Sequence, residues 1–141
     1  MRNADGLETA SAFFFEIGDG MEVKGKTVYL SGPMSGIELY NAPAFVEAHA
    51  TLNRMGAAYV YDPVMQWLET RVEDHEDCMV LCLEKLTDCW ATDDGVVRNV
   101  DLLVQLPGWD KSEGARLEAA VADACGIRRV ELRELEKDTT C

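Results

Sequence analysis

The sequence predicts a single-domain α/β fold of the flavodoxin-like or Rossmann-like kind, a three-layer sandwich with a mostly parallel sheet. Two observations lead to this prediction. Strand-length apolar runs alternate with segments of helical periodicity, and no internal repeat interrupts that order. A chain of 141 residues also fits one domain with a sizeable core.

The first half begins with a weakly specified leader at residues 1–24. Glycines interrupt it, and residues 13–17 are its only strand-like run, so it is either a frayed tail or an added edge strand. The domain itself, residues 25–132, starts with a β-rich run at 26–30 that enters a turn-forming loop at 31–36. A helix between Asn41 and Gly56 and a strand at 57–61 follow.

The middle of the chain contains a helix between two loops. The first loop carries Trp67, and residues 74–87 then place apolar side chains at helical spacing. Residues 89–99 are polar and lack periodicity, which predicts a surface loop.

The last part contains a strand, a turn and a helix that we expect to hold the active site. The apolar run at 100–106 predicts a strand, and residues 112–125 have helical periodicity. The turn between them lies at the carboxyl end of the strand, where open parallel sheets bind ligands. Residues 127–132 form the last strand, and the charged tail 133–141 is expected to fray.

The charge of the chain argues against polymeric nucleic acid and membranes as partners. The formal net charge is −13, with 26 acidic and 13 basic residues, and no basic patch offsets it. The run at 13–15 is too short to span a membrane, and the segment before it lacks the basic start of a signal peptide. We therefore expect a cytoplasmic protein.

The cysteines predict neither disulfides nor a metal site. Their number is odd and they form no CxxC pair; the five are Cys78, Cys82, Cys89, Cys125 and Cys141. His75 and the nearby cysteines form a loose cluster, but its spacing matches no common zinc module.

Glu118 is the candidate catalytic residue that the helix pattern indicates. It shares a face with Gly114, Ala115, Val121 and Ala122, which is small and apolar and therefore points inward. A carboxylate on such a face is either buried with partners or placed beside a ligand.

His49, on the edge of its helix's apolar stripe, is interpreted as a packed, hydrogen-bonded residue instead of a catalytic one.

Two segments carry a resemblance to a known family. Residues 29–36 read YLSGPMSG, and residues 106–118 contain LPGW followed by SxGAxxE. Together they resemble the nucleoside 2-deoxyribosyltransferase-like superfamily, and more narrowly its small bacterial and phage branch of unassigned function, the DUF4406 type. The run YNxPxF at 40–45 also matches, and the resemblance extends from about Lys26 to Leu132.

The resemblance implies roles for three residues. Glu118 would be the nucleophile that attacks C1′ of a deoxyribose, expels the base and forms a covalent ester, as in retaining glycosidases. Tyr29 would orient that carboxylate, so we expect the two side chains within hydrogen-bonding reach. Ser112 stands where the transferases carry an acid, and a serine at a helix start can donate to a phosphate. A nucleoside monophosphate is therefore preferred over a free nucleoside as the substrate.

One departure from the superfamily concerns its second acid, which assists departure of the base. Cys82 stands at that position, and a neutral thiol is a poor replacement for a carboxyl group. Four acids remain as replacements: Asp77, Glu84, Asp88 and Asp101, the last of which matches an acid common at this strand start. The 89–99 loop is also longer than usual in the family and is expected to reshape or cover the pocket.

The resemblance thus implies an N-glycosidase or deoxyribosyl transferase acting on a 2′-deoxynucleoside 5′-monophosphate without metal or organic cofactor, in a homodimer or larger homo-oligomer. The alternative is a catalytically impaired nucleotide-binding module of the same fold. The expected catalytic residues are Glu118, Tyr29 and Asp101. The expected substrate-binding residues are Ser31, Gly32, Pro33, Met34, Ser35, Trp109, Ser112, Gly114 and Ala115.

Overall fold

The computed structural model describes residues 22–139, with side chains described for 22–137. Along the chain the elements are β1 (Thr27–Ser31), α1 (Ala42–Arg54), β2 (Tyr59–Tyr61), α2 (Pro63–Thr70), α3 (His75–Leu86), β3 (Cys89–Thr92), β4 (Gly95–Arg98), β5 (Leu102–Gln105), α4 (Glu113–Ala124), β6 (Arg128–Glu131) and α5 (Leu132–Thr139). Short 3-10 turns at Glu38–Asn41 and Trp109–Lys111 precede α1 and α4.

Four of the strands form a parallel sheet in the order β2-β1-β5-β6. The chain first adds β2 on one side of β1, and it then adds β5 and β6 on the other side. The direction in which strands are added to the sheet therefore reverses between β1 and β5. This reversal is the switch point where doubly wound sheets bind ligands. The predicted α/β three-layer fold with a parallel sheet is confirmed.

Two apolar clusters cover the two faces of the sheet. On one face, Phe45 and Leu52 of α1 and Leu135 of α5 pack against Val28 and Leu30 of β1. On the other face, α3 and α4 pack against β1 and β5 through a second cluster, whose buried members are Tyr29, Cys82, Leu86, Val100, Leu103, Ala122 and Ile127. Alternation along β1 thus sends Val28 and Leu30 to one cluster and Tyr29 to the other.

The segment around Trp67 forms helix α2, so the predicted loop is wrong there. Asp62 is the N-cap of this helix, and its carboxylate accepts a hydrogen bond from the Val64 amide at 2.9 Å. Pro63 occupies the first helical position, where its missing N–H costs no hydrogen bond. The Asp-Pro pair was therefore a helix start signal.

Residues 89–98 form an antiparallel hairpin of β3 and β4, whereas the sequence predicts a surface loop at 89–99. Trp90 pairs with Val97, and Asp93 and Asp94 form the turn between the two strands. All eight strand residues are exposed, as expected for a surface segment. The hairpin leads into the amino end of β5, so it does not join the sheet at the carboxyl ends, where the pocket was expected.

The predicted fraying of the charged tail at 133–141 is wrong for residues 133–139, which belong to α5 together with Leu132. Leu132 and Leu135 lie three residues apart on one helix face, and only 1% of Leu135 is exposed. The folded unit therefore extends beyond residue 132. The strand-like run at 13–17 lies outside the described residues.

Within residues 22–139, no helix is long and apolar enough to cross a membrane. The longest of these helices, α1, has 13 residues, and a span needs about 20.

Leu135→Ala is expected to lower the free energy of unfolding by about 2–5 kcal/mol, because it opens a cavity in the core. Denaturant unfolding of the full chain measures this. The control is Leu117→Ala, a truncation at a position that is 45% exposed, with an expected change of about 0.5 kcal/mol or less. Equal effects of the two truncations would show that α5 does not pack on the sheet.

Candidate active site

Helix α4 presents Glu118 to the sheet. The helix begins at Ser112, whose hydroxyl accepts a hydrogen bond from the Ala115 amide at 3.2 Å. Its inward residues are small except for the glutamate: Ala115, Glu118, Ala119 and Ala122 are buried. Only 7% of Glu118 is exposed, so the inward direction predicted for this carboxylate is confirmed.

Two hydroxyl groups of β1 bind the Glu118 carboxylate. The Tyr29 hydroxyl donates to Oε2 at 2.6 Å, and the Ser31 hydroxyl donates to Oε1 at 2.6 Å. Tyr29 and Ser31 are two positions apart on one strand, so they point to the same face. The expected contact between Tyr29 and Glu118 is confirmed, and Ser31 adds a second anchor that the sequence did not assign.

Burial is the main influence on the pKa of the Glu118 carboxyl group. Desolvation raises the pKa of Glu118 above its ordinary value, although the hydrogen bonds from Ser31 and Tyr29 oppose the rise. The pKa of Tyr29 is also raised, first by burial and then by the nearby Glu118 charge. Tyr29 therefore stays a hydrogen-bond donor when Glu118 is ionised.

Cys82 of α3 lies beside Tyr29 on the same side of the sheet. Its sulfur accepts a hydrogen bond from Gln66 Nε2 at 3.5 Å, and the residue is 9% exposed. Burial, and next the Glu118 charge, raise the pKa of the thiol to about 11. The position that the resemblance assigns to a second acid therefore holds a protonated thiol at neutral pH.

Asp101 is not brought to this site. It lies before the amino end of β5, is exposed, and accepts a hydrogen bond from the Thr27 amide at 2.9 Å. This contact fixes the start of β1 at the opposite end from Ser31. The other proposed replacements, Asp77, Glu84 and Asp88, are all exposed, and only Glu84 lines a cleft that also reaches Tyr29.

The loop after β1 packs closely against the loop after β5. A side chain on Gly32 would place its Cβ 2.8 Å from Leu106 Cβ, so only glycine fits there. Met34 packs against the core, and Ser35 is exposed. A Cβ added to Gly108 would lie 3.4 Å from Pro33 Cγ, and Gly108 has a positive φ of 87°. The structure thus brings the two expected substrate loops together.

Three consecutive residues before α1 adopt left-handed backbone conformations. Leu39, Tyr40 and Asn41 have φ values of 56°, 53° and 64°. Such conformations cost non-glycine residues about 1 kcal/mol or more each. The Asn41 side chain donates to the Pro33 carbonyl at 2.9 Å and so ties this strained turn to the loop after β1.

The other expected substrate residues surround the start of α4. Gly114 faces Met79, whose sulfur would lie 3.2 Å from an added Cβ, so this glycine permits close packing of α4 on α3. Trp109 stacks near Arg129, with the guanidinium carbon 5.6 Å from the ring centre, and its Nε1 contacts Glu131 at 3.5 Å. Ala115 is buried.

Gln105 is a buried polar residue that the sequence did not single out. It is the register partner of Ser31 and is 2% exposed. Its Oε1 accepts from Arg129 at 3.4 Å, which fixes the amide orientation because arginine only donates. Its Nε2 has no hydrogen-bond partner among the described residues. A small open cleft of about 280 Å³ lies beside it.

A larger cleft of about 470 Å³ lies around β2, between α1, α2 and α3. It reaches Tyr29 and Cys82, and Tyr61 and Gln66 are also among its lining residues. His49 Nδ1 contacts the Asp62 carboxylate at 3.0 Å on its far side, so His49 is hydrogen-bonded as expected. Gln66 lies in α2, where the sequence predicts a loop, and no sequence motif marks it as a site residue.

No group of three or more histidine, cysteine or acidic side chains within residues 22–137 is arranged to hold a metal ion. The four cysteines in this range, Cys78, Cys82, Cys89 and Cys125, are free thiols.

Comparison with known proteins identifies a family. A family model described as a domain of unknown function (DUF4406) matches residues 26–130. No curated protein and no solved structure matches the chain. The family match agrees with the narrower part of the sequence resemblance, and the wider superfamily stays an expectation.

Glu118→Gln is expected to raise the melting temperature at neutral pH, because the amide has no charge to desolvate and can still pair with two hydroxyls. The raised pKa means that the folded state binds the Glu118 proton more tightly than the unfolded state. Wild-type stability therefore falls as pH rises from the ordinary value of 4.5 through the folded pKa.

Thermal unfolding of both proteins from neutral pH down to this ordinary value measures the effect. The advantage of the Gln variant is expected to shrink as pH falls. The control is Glu113→Gln, which removes an exposed carboxylate from the same helix. An advantage that stays constant with pH would show that the Glu118 charge is not the cause.

Proposed function

We propose that this chain, which belongs to the DUF4406 family of domains of unknown function, cleaves the N-glycosidic bond of a 2′-deoxynucleoside 5′-monophosphate or a related nucleotide. It would act as an N-glycosidase or a deoxyribosyl transferase. The observation that carries the proposal is the Glu118 carboxylate, which is buried and bound by the Tyr29 and Ser31 hydroxyls at 2.6 Å each. A carboxylate placed in this way is suited to nucleophilic attack.

In the proposed reaction Glu118 attacks C1′ of the sugar. The bond between C1′ and the base nitrogen breaks, its electron pair leaves with the base, and an ester joins C1′ to the carboxylate. Water or a second base then attacks C1′ and releases Glu118. The departing base gains one proton and the incoming nucleophile loses one. Tyr29 and Ser31 hold the carboxylate during both steps, and no metal or organic cofactor is needed.

The start of α4 supports a phosphate group in the substrate. Ser112 caps this helix, so its hydroxyl and the first amides lie at a helix end that favours anions. Lys111 and Arg116 are the nearby basic residues in this segment. The loop residues from Ser31 to Ser35, together with Trp109, Gly114 and Ala115, would surround the sugar phosphate.

A second candidate function is a nucleotide-binding module with impaired catalysis. The observation that favours it is the Cys82 thiol, whose raised pKa of about 11 keeps it protonated where the superfamily has a carboxyl group. Asp101 is unsuited to the missing role because it lies at the other end of the sheet. In this second function Glu118 and Tyr29 would bind a ligand without turnover.

The same proposal includes a small-molecule partner and a cytoplasmic homodimer or larger homo-oligomer. Leu39 and Tyr40 support the assembly, because they are 67% and 60% exposed beside the loop after β1. Exposed apolar side chains in such a position suit a contact with another subunit. The net charge of −13 disfavours polymeric nucleic acid as the ligand.

Incubation with deoxynucleoside monophosphates is expected to release free base, and Glu118→Gln is expected to lower the rate by about a thousandfold or more, because an amide is a poor nucleophile. Chromatography of the free base measures release. Glu113→Gln is the matched control and should retain the wild-type rate. Equal release by the Glu118→Gln protein would remove Glu118 from the mechanism, and no release by wild type from any common substrate would favour the binding module.

Ser112→Asp is expected to abolish the preference of the protein for a deoxynucleoside monophosphate over the corresponding nucleoside. In wild type the 5′-phosphate should raise affinity about tenfold or more through charge-assisted hydrogen bonds. The aspartate repels the phosphate and leaves nucleoside affinity nearly unchanged. Calorimetric titration of a monophosphate and its nucleoside measures both. Ala120→Asp adds the same charge at an exposed position of α4 and serves as the control. Equal wild-type affinity for the two ligands would instead favour a free nucleoside as substrate.

A further inference from the structure

The first turn of α4 packs on α3 through a glycine and a methionine. The Met79 sulfur lies so near Gly114 that a Cβ added to this glycine would be 3.2 Å from it. Nonbonded heavy atoms attract best at about 3.5–4.0 Å, so the space holds the thioether sulfur and no further heavy atom. The separation of the two helices at this point therefore depends on the Met79 side chain.

This contact lies one helical turn from the candidate nucleophile. Gly114 and Glu118 are four residues apart on one face of α4. Tyr29 and Ser31 bind the Glu118 carboxylate at 2.6 Å each, and bonds this short lengthen when the helix moves away from the sheet. A change in the Met79 side chain is therefore transmitted to Glu118 through α4.

A small oxidant can reach this part of α3. Met79 is half-buried, and the next residue, Val80, is 65% exposed. Hydrogen peroxide is uncharged, so the net charge of −13 does not repel it. Other methionines of the described part lie elsewhere: Met34 and Met55 pack against the cluster under α1, and Met65 is 47% exposed.

Oxidation of a thioether adds one oxygen atom to the sulfur. The O–O bond of hydrogen peroxide breaks, one oxygen forms the new sulfur–oxygen bond, and the other leaves as water with both protons. The sulfur loses two electrons and the peroxide gains them. The product, methionine sulfoxide, is polar, and sulfoxide reductases return it to the thioether.

We propose that Met79 is an oxidation site, and that its conversion to the sulfoxide moves the start of α4 away from α3 and weakens the hydrogen bonds that hold Glu118. An oxygen directed toward α4 meets the backbone where a Cβ already has too little room. A side chain that rotates away instead leaves a gap beside Gly114, which has no side chain to fill it. Both responses change the packing of α4 on α3.

The test compares the full-length wild type with Met79→Leu before and after treatment with hydrogen peroxide. Leucine keeps an apolar side chain of similar size and has no sulfur. The free cysteines are present in both proteins, so their oxidation is common to both. Mass spectrometry of peptides locates the added oxygen. Hydrogen exchange of the α4 amides measures local opening and needs no substrate, so this part of the test is independent of the proposed reaction.

Hydrogen exchange in α4 is expected to become about tenfold faster in the oxidised wild type, because the lost contact with α3 lowers the free energy of local opening. It should stay unchanged in Met79→Leu, and a sulfoxide reductase should restore the original rate in the wild type. Base release from a deoxynucleoside monophosphate should fall about a hundredfold on oxidation, because the nucleophile is misplaced.

Two further variants serve as controls. Met65→Leu removes an exposed methionine and should respond to peroxide as the wild type does. Met79→Gln places a polar side chain at the contact without any oxidant, and exchange in α4 of the untreated variant should be faster than in the untreated wild type.

Each outcome bears on a separate claim. Unchanged exchange in α4 of a protein that carries Met79 sulfoxide overturns the inference, and so does equal acceleration in Met79→Leu. If Met79 stays a thioether while Met65 is fully oxidised, Met79 is not an oxidation site. Base release at an unchanged rate from the oxidised protein supports the proposed reaction and overturns the link to Glu118. Accelerated exchange that depends on Met79, without base release by the untreated wild type, supports the inference and contradicts the proposed reaction.

Discussion

The burial of one carboxylate between a helix and a strand is the constraint on which the rest of the structure depends. Glu118 has a short side chain, so its two bonds to Tyr29 and Ser31 require α4 to lie close to the sheet. The helix meets this requirement with alanine at positions 115, 119 and 122, and with Gly114 against Met79. Larger side chains on this face would lift the helix and separate the carboxylate from both hydroxyls.

Strand β1 contributes side chains both to the apolar core and to the candidate active site. Its alternate residues Val28 and Leu30 belong to the cluster under α1 and α5, whereas Tyr29 and Ser31 face α4. Any shift of β1 by one residue would exchange these two sets and disrupt both. The register with β5 is therefore as important for the carboxylate as the hydroxyls themselves, and Asp101 helps to fix that register through the Thr27 amide.

Much of the fold and the central pair could be predicted from the sequence, because both leave local signals. The alternation of strands and helices predicted the parallel sheet, and the small residues around Glu118 predicted its inward direction. The short helix α2 was missed because Trp67 lies in a segment too brief to show clear periodicity, although Asp62 and Pro63 marked its start. The hairpin was missed because its eight strand residues are all exposed and lack alternation.

Contacts between separate segments, such as that of Gln66 with Cys82, left no comparable signal in the sequence. Composition and spacing describe each element by itself, so they do not report which polar side chains meet. For the same reason Asp101 was grouped with the site by the resemblance, although the strand direction places it at the opposite end.

The base of the hairpin determines how α3 connects to β5. Its two ends meet at its base, where the Asn99 amide donates to the Asp88 carbonyl at 2.9 Å. A chain in which residues 89–98 were lost could therefore pass from α3 to β5 without moving either element. The hairpin is therefore a place where the length of the chain can change without displacing the sheet or Glu118.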